Sequence, residues 1–259
     1  ETPTFMPVGT YGTVRGLTPA QLAETGASVV LANAYHLGLR PGVETITRLG
    51  GLHRFMAWTG PILPDSGGYQ LFSLAADLKI DEQGASGRSE LDGARLLITP
   101  ESALAVQQQL GVDIAMAFDE CIAYPCEASV AQRAMERTLR WAERARRRHA
   151  ALQQGDVAGP NPGQAQFGIV QGGIHRDLRA ASVRATVDLG FDGYAIGGLS
   201  VGESVEVMYA VVADAAPQLP QDRPRYLMGA GTPVDLVEAV ARGVDLFDCV
   251  LPTRNARNG

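Results

Sequence analysis

At 259 residues, 46% of them hydrophobic, the chain has the size of one large α/β domain rather than several. Its formal charge of −6 argues weakly against broad nucleic-acid binding, which usually carries a basic excess, and leaves a local basic patch open. No apolar run reaches the roughly 18 residues of a membrane span, no signal peptide opens the chain, and an odd set of cysteines (Cys121, Cys126, Cys249) without zinc-ligand spacing points to a reduced, cytoplasmic protein rather than a disulfide scaffold.

Strand-like runs recur along the chain, each followed by a helical segment. They cover 4–8, 28–33, 62–65, 114–119, 167–171, 194–197, 226–229 and 246–250. These runs are nearly continuous in apolar residues, as parallel strands covered on both faces should be. Helices are punctuated in one grammar at Thr18-Pro19 to Gly26, Thr99-Pro100 to Gly111 and Thr232-Pro233 to Gly243: a capping threonine, a proline in the first turn and a closing glycine. The longest helix is predicted over about 128–152. Eight strands alternating with helices predict an α/β protein with a (β/α)8 TIM-barrel fold, in a single catalytic domain spanning 1–259.

Two excursions break the rhythm. Residues 69–98 are too long for a simple connection and read as a small β insertion, a hairpin over the barrel mouth. Residues 153–165 form a polar Gly/Pro loop. The first residue is not Met and the last lies just past the final strand, so both ends read as trimmed, with the C-terminus cut after strand 8.

In such barrels the chemistry gathers at the C-terminal ends of the strands. Those ends read Asn33, Asp65, Asp119-Glu120, Gln171, Gly197-Gly198, Met228 and Asp248. Taken singly each has a bland explanation: Asp65, before Ser66-Gly67-Gly68, reads equally well as the capping residue of a tight turn. Taken together, three carboxylates facing one cavity would raise one another's pKa, leaving one acid able to carry a proton and one ionised as nucleophile. Two-carboxylate displacement at an anomeric carbon has this form. Asp248 interrupts the apolar run Leu246 to Leu251, where an unpartnered carboxylate is costly, and is the candidate nucleophile. Gly197-Gly198 leave backbone N–H groups open to a flat ligand, and Tyr69 and Met228 are candidates to sandwich it, although core packing is their default role. The four histidines are dispersed and suggest no metal. The basic run 137–148 reads first as a solvated helix face. Arg254 and Arg257, following directly on the candidate nucleophile strand, are the better contacts for phosphates.

The segments FMPVGTYGTVRGLT, LANAYHLGLRPG, GPILPDSGGYQLFSL, FDECIAYP, FGIVQGG, GYAIGGLSVGE, RYLMGAGTP and LFDCVLPTRNARNG resemble the tRNA-guanine transglycosylases. The match runs in family order over nearly the whole chain. The resemblance implies that Asp248 attacks the ribose C1′ of a target guanosine to give a covalent ribosyl-enzyme. It implies that Asp65, supported by Asn33, is the general acid/base. Asp119, Gln171 and the backbone at Gly198-Leu199 would recognise the guanine-like edge, Tyr69 and Met228 would stack on the base, and Arg254 and Arg257 would meet tRNA phosphates. Cys121 and Val201 resemble the bacterial form. That form inserts 7-aminomethyl-7-deazaguanine at the wobble guanine of tRNAs for Asp, Asn, His and Tyr, in the queuosine pathway. No organic cofactor is implied. A structural zinc is implied, held by a Cys-x-Cys-x-x-Cys motif and a later His in a subdomain that would lie beyond Gly259, as is a homodimer of the full-length protein. The competing readings are a non-catalytic tRNA-binding partner subunit of the same family, which would have lost Asp65, Asp119, Gln171 or Asp248, and an unrelated barrel enzyme acting on a phosphorylated metabolite.

Overall fold

A computed structural model describes residues 1–74, 76–154 and 161–259. Among the described residues the strands are β1 (Thr4–Met6), β2 (Val8–Gly9), β3 (Val30–Ala32), β4 (Ile62–Pro64), β5 (Ala76–Ile80), β6 (Ala85–Arg88), β7 (Arg95–Ile98), β8 (Ile114–Met116), β9 (Ala165–Val170), β10 (Gly193–Ile196), β11 (Arg225–Leu227) and β12 (Leu246–Asp248). Six of them form a curled parallel sheet in the order β1-β12-β11-β10-β9-β8, and β2-β3-β4 form a second parallel sheet. The two sheets are joined at Pro7. Proline cannot donate to a ladder, so the expected strand over 4–8 divides. Thr4 to Met6 pair with β12, while Val8 and Gly9 pair with β3 and the Pro7 carbonyl accepts from Leu31 N.

On the other side, β4 and β8 meet through Asp113, whose N–H donates to Ile62 O at 3.0 Å and whose Oδ2 accepts from Ile62 N at 2.7 Å. No ladder is formed there, so the fully paired eight-strand closure expected from the sequence is met only in part. One apolar cluster nonetheless draws on both sheets: Met6, Leu31, Leu63, Met116, Phe167, Ile169, Ala195, Tyr226 and Leu246. A second cluster lies between the larger sheet and its helices, around Val170, Val212, Leu227 and Phe247.

The helices begin where the threonine-proline pairs predict. Thr18, Thr99 and Thr232 each accept from the backbone N–H three residues on and close a capping box for helices Pro19–Glu24, Pro100–Leu110 and Pro233–Val240. Gly111 closes the second of these with φ +76°, a left-handed conformation open to glycine at little steric cost. The long helix runs Ala128–Gln153. The insertion differs from the hairpin expected. It opens with a helix, Gly68–Leu74, and continues as a three-stranded antiparallel sheet, β5-β6-β7. The expected Gly/Pro loop lies largely outside the described residues, at 155–160. No helix among the described residues is long and apolar enough to cross a membrane.

The basic run of the long helix is not a bare face. Arg140 pairs with Glu82 through two hydrogen bonds, and Arg144 binds Glu101 and the carbonyls of Glu82 and Gln83. Arg137 pairs with Glu120 and Glu82, and Arg146 lies over the Phe191 ring. Arg137, Arg140 and Arg144 tie the insertion to the long helix through Glu82 and Gln83.

Candidate active site

The strand ends open on a cavity of about 460 Å³. Asp65 follows β4, Asp119 follows β8 and Asp248 ends β12, and all three line the cavity. The sequence reading placed Asp248 inside a strand reaching 250. In the structure it is the last strand residue, and its side chain lines the cavity. Asn33, Tyr69, Cys121, Gly198, Leu199, Val201 and Met228 line the same cavity. Gln171 does not. It is buried one step behind, where its Nε2 donates to Asp119 Oδ2 at 2.7 Å.

Among the described residues no lysine or arginine lines the cavity; its ionisable side chains are the three acids, His36, Tyr69, Tyr226, Cys121 and Cys249. Desolvation therefore acts on the carboxylates without a nearby cation to offset it. It raises the pKa of all three, and that of Asp65 most. For Asp65 the charges of Asp248 and Asp119 add to the burial, and the amides of Ala34 and Gly67 pull only partly back. Asp65 Oδ1 accepts from Ala34 N at 3.1 Å, and its buried Oδ2 has no partner among the described residues. Asp65 is thus the group best set to hold a proton and hand it on.

Asp119 differs. Ser66 Oγ donates to its Oδ1 at 3.0 Å and Gln171 to its Oδ2, which lowers the pKa against the dominant burial. Asp248 Oδ1 accepts from Tyr226 Oη at 2.5 Å and from Gly229 N at 2.8 Å. Both donors stabilise the ionised form against a pKa raised first by burial. Asn33 caps the short helix Ala34–Leu37, its Oδ1 accepting from His36 N. The Cys121 thiol is pushed up to about 12, chiefly by burial, so it serves as wall and not as nucleophile.

The Gly198-Leu199 turn is supported from below. Arg179, almost fully buried, donates to the carbonyls of Gly173, Val170 and Gly198, and desolvation lowers its pKa to about 10. Glu203 accepts from the amides of Ser200 and Val201. Gly198 has φ +64°, and a Cβ there would stand 2.3 Å from Gln171 Oε1, so only glycine fits.

A family model described as queuine tRNA-ribosyltransferase matches residues 1–259, the whole chain. The chain belongs to that family. Membership places it among the transferases of tRNA guanine transglycosylation, with tRNA as the family's substrate.

Several residues that build the site of this queuine tRNA-ribosyltransferase family member escaped the sequence reading. Tyr226, Ser66, Gly229 and Glu203 hold the functional groups in place, and Arg179 supports Gly198. Tyr226 was within reach: the apolar run 226–229 opens on it two residues before Met228, and in extended chain residues two apart share a face, here the cavity wall. The others act through turns and long side chains that periodicity does not report. Arg254 and Arg257 lie on the exposed helix Leu251–Asn258, outside the cavity wall, with Arg257 Nη1 donating to Arg15 O at 3.2 Å. Among the described residues no three or more His, Cys, Asp or Glu side chains come together to hold a metal, and the zinc that the resemblance implies was expected on residues beyond Gly259.

Proposed function

We propose that this chain exchanges a guanine base of tRNA for a 7-deazaguanine through a ribosyl ester on Asp248. The observation that carries the reading is the convergence of Asp65, Asp119 and Asp248 on one cavity without a cation on its described wall. Such a cavity favours the positive charge that develops at C1′ in an oxocarbenium-like transition state.

Asp248 Oδ2 attacks C1′ of the target nucleotide while the bond from C1′ to N9 of the guanine breaks. The electron pair of that bond goes to the base, which takes its proton from Asp65. The incoming base then gives its N9 proton to Asp65 and attacks C1′. The ester bond breaks and its electron pair returns to Asp248. Two inversions retain the configuration at C1′. One glycosidic bond replaces another, so no ATP is required. The target nucleotide must leave its stack to enter, and an unpaired anticodon-loop base is the easiest to extract.

Asp119 accepts from the N1–H and 2-amino group of the base, an amide at Gly198-Leu199 donates to O6, and Tyr69 and Met228 stack on its faces. Cys121 and Val201 narrow the cavity beside the ring and favour 7-aminomethyl-7-deazaguanine over a bulkier base. Arg254 and Arg257 meet the phosphates of tRNAs for Asp, Asn, His and Tyr. The same reading takes the two parallel sheets as one TIM-type barrel, supported by the apolar cluster they share. The presence of Asp65, Asp119 and Asp248 in one cavity supports catalysis over a partner-subunit role.

The test is incorporation of labelled guanine into tRNA by the wild type and by Asp248→Asn. The variant is expected to incorporate none. Exchange at the wild-type rate by Asp248→Asn would remove the proposed nucleophile.

A further inference from the structure

Asp248 has two oxygens in unequal surroundings. Oδ1 accepts from Tyr226 Oη at 2.5 Å and from Gly229 N at 2.8 Å, while Oδ2 takes no donor among the described residues. The two donors come from one strand and the turn after it. Tyr226 pairs in register with Leu246 on the neighbouring parallel strand, so it starts one layer below Asp248 on the same face. Its phenol spans that layer. The ring is 1% exposed and packs in the cluster of Met6, Leu31, Leu63 and Leu246, which leaves the hydroxyl one hydrogen-bond direction, toward the carboxylate.

We infer that Tyr226 is a positioning residue for the nucleophile: together with the Gly229 amide it holds Oδ1, commits Oδ2 to attack on C1′, and favours the free carboxylate over the ester. This rests on the base-exchange reading and goes beyond it. A charge-assisted hydrogen bond stabilises the ionised carboxylate more than the neutral ester carbonyl that replaces it. The contact therefore opposes accumulation of the ribosyl ester and assists its breakdown when the incoming base attacks. Burial and the Asp248 charge both keep the phenol protonated, so it remains a donor through the neutral range.

Tyr226 from β11, Asp65 and Cys249 act on Asp248 through charge or hydrogen bonding, and the other ionisable groups of the cavity wall are Asp119, His36, Tyr69 and Cys121. Of these, only Tyr226 donates to the carboxylate from a side chain.

The experiment compares wild type and Tyr226→Phe, with 3-fluorotyrosine at position 226 as a second variant. It reads the pH profile of kcat/KM and the fraction of protein trapped as tRNA adduct on a denaturing gel. Phe keeps the ring packing and removes only the donor. The acid limb of the Phe variant is expected to move up by about one to two pH units, the size of one charge-assisted hydrogen bond. Its kcat should fall roughly tenfold to a hundredfold for the same reason, with a larger trapped fraction. The fluorinated phenol, a stronger donor, should move the limb the other way. A residue that only filled space would leave the limb in place in both variants. An unchanged limb and an unchanged trapped fraction, beside a normal wild-type adduct, would overturn this inference alone. Absence of any adduct in the wild type would overturn the base-exchange reading and this inference with it.

Discussion

Asp65 is the residue at which burial and like charge combine, and the sign of that combination is testable. Its pKa is raised in the folded chain, as are those of Asp119 and Asp248. The folded state therefore binds protons that the unfolded state releases. Stability from these groups is fully present below the unfolded carboxylate pKa and is lost as pH rises through the folded values. At pH 7.5 Asp65→Asn is expected to raise Tm while abolishing exchange, at about 2–4 °C for each kcal/mol gained in a chain of this size. The gain should vanish at about pH 3.5, below the ordinary carboxylate pKa, where wild type and variant are both neutral at this position. A lower Tm for the variant at pH 7.5 would contradict the assignment. Gly198 gives a second test. Ala there would need φ +64° and would press on Gln171, which holds Asp119. Gly198→Ala should weaken binding of the deazaguanine base more than tenfold by calorimetry. Gly190→Ala, at φ +71° with open space around it, should leave binding unchanged.

At the scale of elements, the insertion is fastened to the long helix by arginine. Arg144 alone supplies two bonds to Glu101 and one each to the carbonyls of Glu82 and Gln83. Arg144→Ala should speed amide exchange in 76–98 while leaving the parallel strands protected, read by hydrogen-exchange mass spectrometry. Uniform protection in both proteins would show that the apolar contacts of Leu78, Ile80, Leu96 and Ile98 suffice. This element also shows the reach and limit of sequence reading. Threonine, proline and glycine carry their conformational preference locally, so the capping boxes at Thr18, Thr99 and Thr232 are legible from the residues alone. The number of strands in the insertion is not, because short polar-apolar alternation fits a hairpin and a three-stranded sheet alike. The partners of the basic helix are hidden for another reason: ion pairs between 82 and 137–144 are set by packing, not by spacing along one helix.

At the scale of the whole molecule, the alternation of apolar runs with capped helices announces a parallel α/β protein, and the polar residues ending those runs mark the cavity. Asp65, Asp119 and Asp248 stand out because a carboxylate after an apolar run has a physical cost that needs a reason. Two features lie beyond that logic. Pro7 splits the first strand between two neighbours, which a continuous run over 4–8 conceals. The break between β4 and β8 depends on how Asp113 meets Ile62, a pairing across about fifty residues of chain. What the fold achieves is to bring Asp65, Asp119 and Asp248, from strands far apart in sequence, to the wall of one cavity, where burial raises the pKa of all three.

The most direct measurement is peptide mapping of the covalent complex formed with tRNA and quenched in denaturant. The account predicts one ribosylated peptide, modified at Asp248, in the wild type and in Asp119→Asn, and none in Asp248→Asn. A ribosyl group found on Asp65 or Asp119, or an adduct that persists in Asp248→Asn, would contradict it.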